Sequence, residues 1–145
     1  MYNSKVSELE FGNIILCNFS NSSPAYYDGP TIKNLYSGIH PALFINFHTN
    51  PEGKCFILVC PMSDEMKYAE LDKELVKVSR KDIENSALKQ DLHTINCKML
   101  ISVSSMQVTC PKQQGMLLEE KLNSVSKKIY THLEKVYENT IAEIK

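Results

Sequence analysis

The sequence predicts a mostly β domain with one C-terminal α-helix, an α+β fold built as a small, mostly antiparallel barrel or curled sheet. Short β-branched and aromatic runs alternate with Gly, Pro, Asn and Ser clusters over residues 11–110. Two of these runs, residues 42–47 and 55–60, flank the sequence T-N-P-E-G, which is typical of a β-hairpin loop. From residue 116 the apolar residues recur at three- and four-residue steps, which is typical of an amphipathic helix.

Length and charge set the limits of this prediction. The chain has 145 residues, so we expect a single domain over residues 1–145, with the barrel at about 11–110 and the helix at about 116–143. Sixteen basic and seventeen acidic residues give a net charge of −1. No global attraction to nucleic acid follows from that balance, so any nucleic-acid site must be a local patch. Arg80 is the one arginine in the sequence.

The cysteines and the apolar runs indicate the compartment. Five cysteines without a C-x-x-C spacing predict free thiols in a cytoplasmic protein and no metal site. No apolar run approaches the ~18 residues that a membrane helix needs, and no signal peptide is visible at the N-terminus. We therefore expect a cytoplasmic location, no membrane association and no cofactor.

The first strand and the segment after it differ sharply in composition. Residues 13–19 contain four consecutive apolar residues, which predicts a strand buried on both faces. Residues 20–38 are rich in Ser, Asn, Pro and Gly and predict a long loop, and loops of that length are often functional. Its tyrosines, Tyr26, Tyr27 and Tyr36, could stack on nucleic-acid bases or anchor the loop on the sheet.

Four further elements are predicted between the hairpin and the helix. They are a half-buried strand at 74–78, one or two helical turns at 82–88, a strand at 94–103, and a short strand at 106–109 that Cys110-Pro111 ends. In the predicted strand at 94–103, we expect Ile95, Cys97, Met99 and Ile101 to lie on one face. The apolar stripe of the C-terminal helix should pack on the barrel, with its last turns alternatively meeting another subunit.

One polar residue lies at the same end of each hairpin strand. His40 precedes Pro41 at the start of the first strand, and Ser63 follows Pro61 at the end of the second. Because the start of one antiparallel strand lies beside the end of the next, we expect an imidazole and a hydroxyl at one end of the sheet. The alternatives are a rim hydrogen bond for His40 and a satisfied turn for Ser63.

Three short segments, in this order, carry a family resemblance. They are F-G-N-I-I-L-C-N-F at residues 11–19, G-I-H-P-A-L-F-I at 38–45 and L-V-C-P-M-S-D at 58–64. The first is similar to a G-x-hydrophobic strand ending in Phe, the second to a basic-x-R-P-A-L-V strand, and the third to a V-x-P-hydrophobic-[TS]-S segment. Together they resemble the MazF/PemK family of toxin endoribonucleases, over roughly residues 11–140.

The resemblance implies a homodimeric barrel of the MazF/PemK/CcdB type that a cognate antitoxin neutralises. It also implies metal-independent cleavage of single-stranded RNA. The substrate's own 2′-hydroxyl attacks the adjacent phosphate and leaves a 2′,3′-cyclic phosphate. By position, His40 matches the family's arginine before Pro, and Ser63 matches its Thr or Ser. These two residues are the catalytic candidates.

This sequence departs from the family pattern at its arginines. His40 stands where an arginine is usual, and the position of a second arginine falls near Ser104 and Ser105. An imidazole can act as acid or base near neutral pH, but it lacks the guanidinium fork. Lys33 could supply the missing charge. The substrate-binding candidates are therefore Lys33, Tyr27, Tyr36, Ser104 and Ser105.

Two other functions stay open at the level of the sequence. A catalytically silent barrel could bind a protein target such as gyrase, and the missing arginines favour that alternative. A nucleic-acid-binding regulator is the second, and the low net charge argues against it. For the toxin, an antitoxin segment is expected between the 20–38 loop and the sheet, where it would compete with RNA for Lys33 and His40.

Overall fold

The computed structural model of the protein describes residues 8–19, 24–27, 38–64, 70 and 74–144, leaving aside the side chains at 24–27, 110–113, 136, 140 and 144. Within these ranges the chain forms nine β-strands and one long α-helix, α1 (Glu119–Ile144). The strands are β1 (Asn13–Asn18), β2 (Pro24–Tyr27), β3 (Ile39–Thr49), β4 (Cys55–Ser63), β5 (Val76–Ser79), β6 (Ile83–Glu84), β7 (Leu92–Ile95), β8 (Met99–Val103) and β9 (Val108–Leu117).

The strands pair antiparallel in the order β2-β8-β4-β3-β1-β9-β6. β7 also pairs with the end of β4, and β5 pairs with β7. The result is a nearly closed barrel followed by α1, so the predicted fold class, a small antiparallel barrel with a C-terminal helix, is confirmed. The predicted hairpin is β3–β4, whose loop is fixed by backbone N–H groups of Glu52 and Lys54 that donate to Asn50 Oδ1.

The central strands are buried on both faces, which explains their continuous apolar runs. One face forms the inner cluster: Leu9, Ile15, Cys17, Phe19, Ala42, Phe44, Ile57, Val59, Leu75, Met99, Ile101, Val103 and Val108. The opposite face forms the outer cluster with α1: Ile14, Leu43, Cys60, Met62, Val76, Val78, Ile83, Leu88, Ile95, Cys97, Leu100, Leu117, Val125 and Ile129. Neighbouring residues along β1, β3 and β4 alternate between the two clusters, as the pleat requires.

α1 begins three residues later than predicted. Met116 and Leu117 belong to β9, where they pair with β1 and β6, and those pairings hold them in extended conformation. Leu118 then donates its N–H to the backbone oxygen of Asp82 at 2.8 Å, and the helix follows. Glu119 and Glu120 occupy its first turn, where carboxylates interact favourably with the helix dipole. Among the described residues no helix is long and apolar enough to cross a membrane.

The predicted strand at 94–103 is two strands. A turn at residues 96–98 separates β7 from β8, because Asn96 Oδ1 accepts the backbone N–H of Lys98 and Asn96 N donates to Pro61 O. The turn moves the chain from one face of the sheet to the other, so Ile95 and Cys97 join the outer cluster while Met99 and Ile101 join the inner one. The expectation of a single face for these four residues was wrong.

The helical turns predicted at 82–88 are also wrong. A single 3₁₀ turn (Arg80–Asp82) precedes β6, and the rest of the segment is extended or in turns. The side chain of Arg80 donates to the backbone oxygens of Leu88 and Lys89 and holds the segment open. The sole arginine is therefore a structural residue.

β9 continues past Cys110-Pro111, which had been expected to end it. Between the pairs Ile14–Gly115 and Leu16–Cys110 the register of β1 against β9 shifts, so residues 111–114 bulge out of the ladder. Proline is tolerated at such a bulge because no ladder hydrogen bond from its nitrogen is required.

Candidate functional site

The hairpin brings His40 and Ser63 toward the same end of the sheet. The β3–β4 ladder runs to the pair Ala42–Pro61, and its register, continued by two residues, would place His40 opposite Ser63. Alternation along both strands assigns the two residues to the inner-cluster face. The observed ladder stops short of that pair, because β3 continues beside β1 while β4 turns to β7.

The two residues differ in exposure. His40 is half-buried and lies opposite Cys17 of β1. Ser63 has 0% exposure and lies opposite Thr94 of β7, whose hydroxyl donates to the backbone oxygen of Ser63 at 3.4 Å. In this conformation the imidazole has access to solvent and the hydroxyl of Ser63 does not.

Ser104 and Ser105 lie at the turn that leads into β9, and hydrogen bonds connect this turn to the strands around His40. The backbone N–H of Ser104 donates to Gln107 Oε1 at 2.9 Å. Gln107 Nε2 in turn donates to the backbone oxygen of Asn18 at 3.2 Å, and Asn18 pairs with Ile39, the residue before His40. Both serines are half-buried. The structure thus connects this turn, which carries the candidates Ser104 and Ser105, to the same barrel rim as His40.

The remaining candidates fall largely outside the described residues. Lys33 and Tyr36 lie there entirely, as does most of the predicted 20–38 loop. Tyr27 is the last residue of β2 and pairs with Met99 of β8, but its side chain is not among those described. Their proposed contacts with substrate therefore remain predictions.

The histidines away from the rim have structural settings. His48, at the far end of the hairpin, places Nε2 2.9 Å from Ser102 Oγ and stacks on Phe56 with ring centroids 5.5 Å apart. His93 is buried in β7, and that burial is the main reason why its pKa lies below the ordinary value of a histidine. A neutral, buried imidazole is suited to packing rather than to contact with substrate.

The described residues contain no group of three His, Cys, Asp or Glu side chains that could hold a metal ion. Four cysteines whose side chains are described, Cys17, Cys55, Cys60 and Cys97, are free thiols. Burial raises the pKa of Cys17 and of Cys97 to about 12 and that of Cys60 well above its ordinary value, so these thiols stay protonated and are poor nucleophiles.

A cavity of about 250 Å³ lies beneath α1, against the β7–β8 turn. Lys98 reaches Glu74 across its mouth, with Nζ 2.7 Å from Oε2. The hydrogen bond and charge of Lys98, with the charges of two helix lysines, hold the pKa of Glu74 below its ordinary value. Sequence reasoning had assigned the helix charges to a solvated face. The i, i+4, i+8 spacing of Lys127, Thr131 and Lys135 was the signal that could have located this cavity.

The chain matches no known protein family and no curated protein sequence. The likeness to MazF/PemK toxins therefore depends on the three short segments described above.

Proposed function

We propose that the protein is the toxin component of a toxin–antitoxin system, a cytoplasmic endoribonuclease that cleaves single-stranded RNA without a metal ion. The observation that carries the proposal is the placement of the three segments that resemble MazF/PemK toxins. They form β1, β3 and β4, which are neighbours in the sheet. Segments distant in sequence thus lie side by side in the sheet, with His40 at the end of β3.

The chemistry needs a proton acceptor, a proton donor and a group that stabilises the phosphorane. The substrate 2′-oxygen forms a bond to phosphorus as the bond from phosphorus to the 5′-oxygen breaks. The 2′-hydroxyl proton passes to the base, and the leaving 5′-oxygen takes up a proton, which gives a 2′,3′-cyclic phosphate and a 5′-hydroxyl end. His40, half-buried at the rim, is suited to one of the two proton transfers.

The hydroxyl groups divide by accessibility. Ser63 is fully buried, so a bond from its side chain to a substrate phosphate would require the end of β4 to open. Ser104 and Ser105 are half-buried and belong to the turn that Gln107 ties to β1. In this proposal His40 acts on the substrate, Ser63 supports the rim next to it, and the two turn serines and Lys33 contact phosphate. Tyr27 and Tyr36 stack on bases.

A homodimer is part of the proposal. On the solvent side of α1, Tyr130, Leu133 and Tyr137 are 69%, 45% and 67% exposed. Their spacing of three and four residues forms one apolar stripe on the helix, separate from Val125 and Ile129, which face the sheet. An exposed aromatic stripe of this kind suits contact with a second copy. The cognate antitoxin would act at the rim, where it would compete with RNA for His40 and Lys33.

A catalytically silent barrel that binds a protein target is the second candidate. Two observations favour it: Arg80 is committed to the backbone oxygens of Leu88 and Lys89, and large apolar side chains are exposed near the rim at Ile39 (60%) and Met106 (91%). Exposed apolar side chains suit contact with protein.

Cleavage of a mixed-sequence, single-stranded RNA separates the two candidates. With the wild-type protein in excess and EDTA present, we expect fragments with 2′,3′-cyclic phosphate and 5′-hydroxyl ends. A mock preparation from cells that carry the empty vector, purified in parallel, controls for contaminating nucleases. Intact RNA with the wild-type protein would contradict the ribonuclease and favour the silent barrel.

A further inference from the structure

The cavity beneath α1 is lined mainly by positive charge. Lys98 comes from the β7–β8 turn, and Lys127, Lys128 and Lys135 come from α1. Glu74 is the one acidic side chain among the described residues that line it. Four ammonium groups against one carboxylate leave an excess of three positive charges here, although the whole chain carries −1. Such a concentration of like charge is unfavourable unless an anion offsets it.

Two of the four ammonium groups, those of Lys98 and Lys128, are held in place before any ligand arrives. Lys128 Nζ donates to the backbone oxygen of Glu74 at 3.1 Å, and Lys98 Nζ lies 2.7 Å from the Glu74 carboxylate. The turn that carries Lys98 is itself held by Asn96. Its Oδ1 accepts the backbone N–H of Lys98, and its own backbone N–H donates to the backbone oxygen of Pro61. A preorganised set of donors binds a ligand with little loss of conformational entropy.

Beside the buried Cys97, the lining of the cavity also contains uncharged polar side chains. His132 lines it with only 5% exposure, at a position where α1 otherwise presents Val125 and Ile129 to the sheet. Thr131 adds a hydroxyl to the wall. A helix that only packs on the sheet would be expected to carry an apolar residue at the position of His132.

Size and charge together indicate the ligand. The volume of about 250 Å³ lies just below the ~300–1,000 Å³ of pockets for drug-sized molecules. Lysine ammonium groups bind phosphate as point charges, without the planar fork of arginine. We propose that this cavity binds a small phosphate-bearing anion, such as inorganic phosphate, pyrophosphate or a nucleoside monophosphate. When the anion is absent, the Glu74 carboxylate forms an ion pair with Lys98. The anion must compete with this carboxylate for the Lys98 ammonium group. This site does not depend on the proposed ribonuclease activity.

Isothermal titration of the full-length protein with pyrophosphate and with a nucleoside monophosphate, at low salt, tests the proposal. Lys128→Ala should weaken binding of both by about tenfold or more, because a charge-assisted hydrogen bond is lost. Glu74→Gln should strengthen it severalfold, because the competing carboxylate is removed. Lys121→Ala is the matched control, since Lys121 Nζ also docks α1 on a backbone oxygen, that of Lys77 at 3.2 Å, and does not line the cavity.

Thermal melting of the same variants separates ligand binding from helix docking. We expect Lys128→Ala and Lys121→Ala to lower the melting temperature similarly, while only Lys128→Ala weakens binding. Absence of wild-type binding at millimolar pyrophosphate would overturn the proposal, as would equal binding by wild type, Lys128→Ala and Glu74→Gln. Binding that appears with a single-stranded RNA oligomer and not with either small anion would also overturn it.

Discussion

Ser63 pairs with Thr94 of β7, and the hydroxyl of Thr94 donates to the backbone oxygen of Ser63 at 3.4 Å. The end of β4 thus pairs with β7, and the β3–β4 ladder ends at the pair Ala42–Pro61. His40 pairs with Cys17 of β1. The two candidate residues therefore lie at one end of the sheet without sharing a ladder, and their contributions to activity should differ.

Substitution at the rim should show that difference. We expect His40→Ala to lower the cleavage rate by ~10²–10⁴-fold, the usual contribution of a general acid or base. Ser63→Ala should lower it less, because a buried side chain acts through the position of its neighbours. Rates under single-turnover conditions on one RNA provide the measurement. If wild type and His40→Ala cleave equally well, the fold assignment is unaffected, but His40 is not a catalytic residue.

The assembly state gives a second prediction. If the exposed stripe of α1 joins two copies, light scattering should report twice the 16.5 kDa of one chain at micromolar concentration. Leu133→Glu places a charge in the centre of the stripe and should shift the particle to 16.5 kDa. Ser124→Glu is the charge-matched control, because Ser124 is exposed on the same helix, lies outside the stripe and does not line the cavity. A wild-type mass of 16.5 kDa would contradict the dimer.

Acid stability should depend on His93. Burial lowers its pKa in the folded state, whereas the unfolded chain titrates at the ordinary value of about 6.5. The unfolded state therefore binds more protons as the pH falls below about 6.5, and the free energy of unfolding must decrease there. Above that pH the contribution of His93 is fully present. Urea unfolding at pH 7.5 and 5.5 measures the loss.

The variant His93→Gln should remove part of this pH dependence. The pKa of Glu74 is also lowered, but from an ordinary value of 4.5. Its titration therefore changes the free energy of unfolding mainly below pH 4.5 and contributes little between pH 7.5 and 5.5. An unchanged difference between the two pH values in His93→Gln would show that other groups cause the acid sensitivity.

Gly115 should be intolerant of a side chain. Its φ of +143° disfavours other residues, and a Cβ would overlap the side chain of Ile83 and lie 3.2 Å from the backbone oxygen of Glu84. Gly115→Ala should therefore lower the free energy of unfolding by about 2–4 kcal/mol, combining backbone strain with overpacking. Gly53→Ala is the control, because Gly53 also has a positive φ, +84°, but nothing lies within 4 Å of its Cβ. Equal losses of unfolding free energy in Gly115→Ala and Gly53→Ala would mean that backbone strain alone, and not the overlap with Ile83, causes the destabilisation.

The sequence predicted those elements whose signal is local. The hairpin loop, with Asn50 and Gly53, and the period of α1 are local patterns, and the structure contains both. The predictions from sequence were wrong at positions where contacts between residues distant in the chain determine the conformation. Asn96 divides the predicted strand by binding the backbone of Pro61, and Arg80 keeps the 82–88 segment from forming helical turns by binding two carbonyls. Neither contact can be read from spacing.

For the candidate site as well, the sequence predicted the part that depends on local geometry and not the part that depends on distant contacts. Antiparallel geometry placed His40 and Ser63 at one end of the sheet, and the register of β3 and β4 agrees with that expectation up to the pair Ala42–Pro61. The departure of β4 toward β7, which buries Ser63, depends on pairing with residues thirty positions later in the chain. The lysine cavity was missed because it forms only when α1 is laid against the β7–β8 turn.

Among the described residues, the inner cluster contains no side chain of α1, whereas the outer cluster contains Val125 and Ile129. The sheet therefore separates two apolar clusters, one built from strands and the segments that flank them and one that the helix completes. Detachment of α1 would remove Val125 and Ile129 from the outer cluster, expose the apolar strand residues beneath them and open the lysine cavity, while the contacts within the inner cluster would remain. A ligand in the cavity or a second copy on α1 would therefore act on the outer cluster and not directly on the inner one.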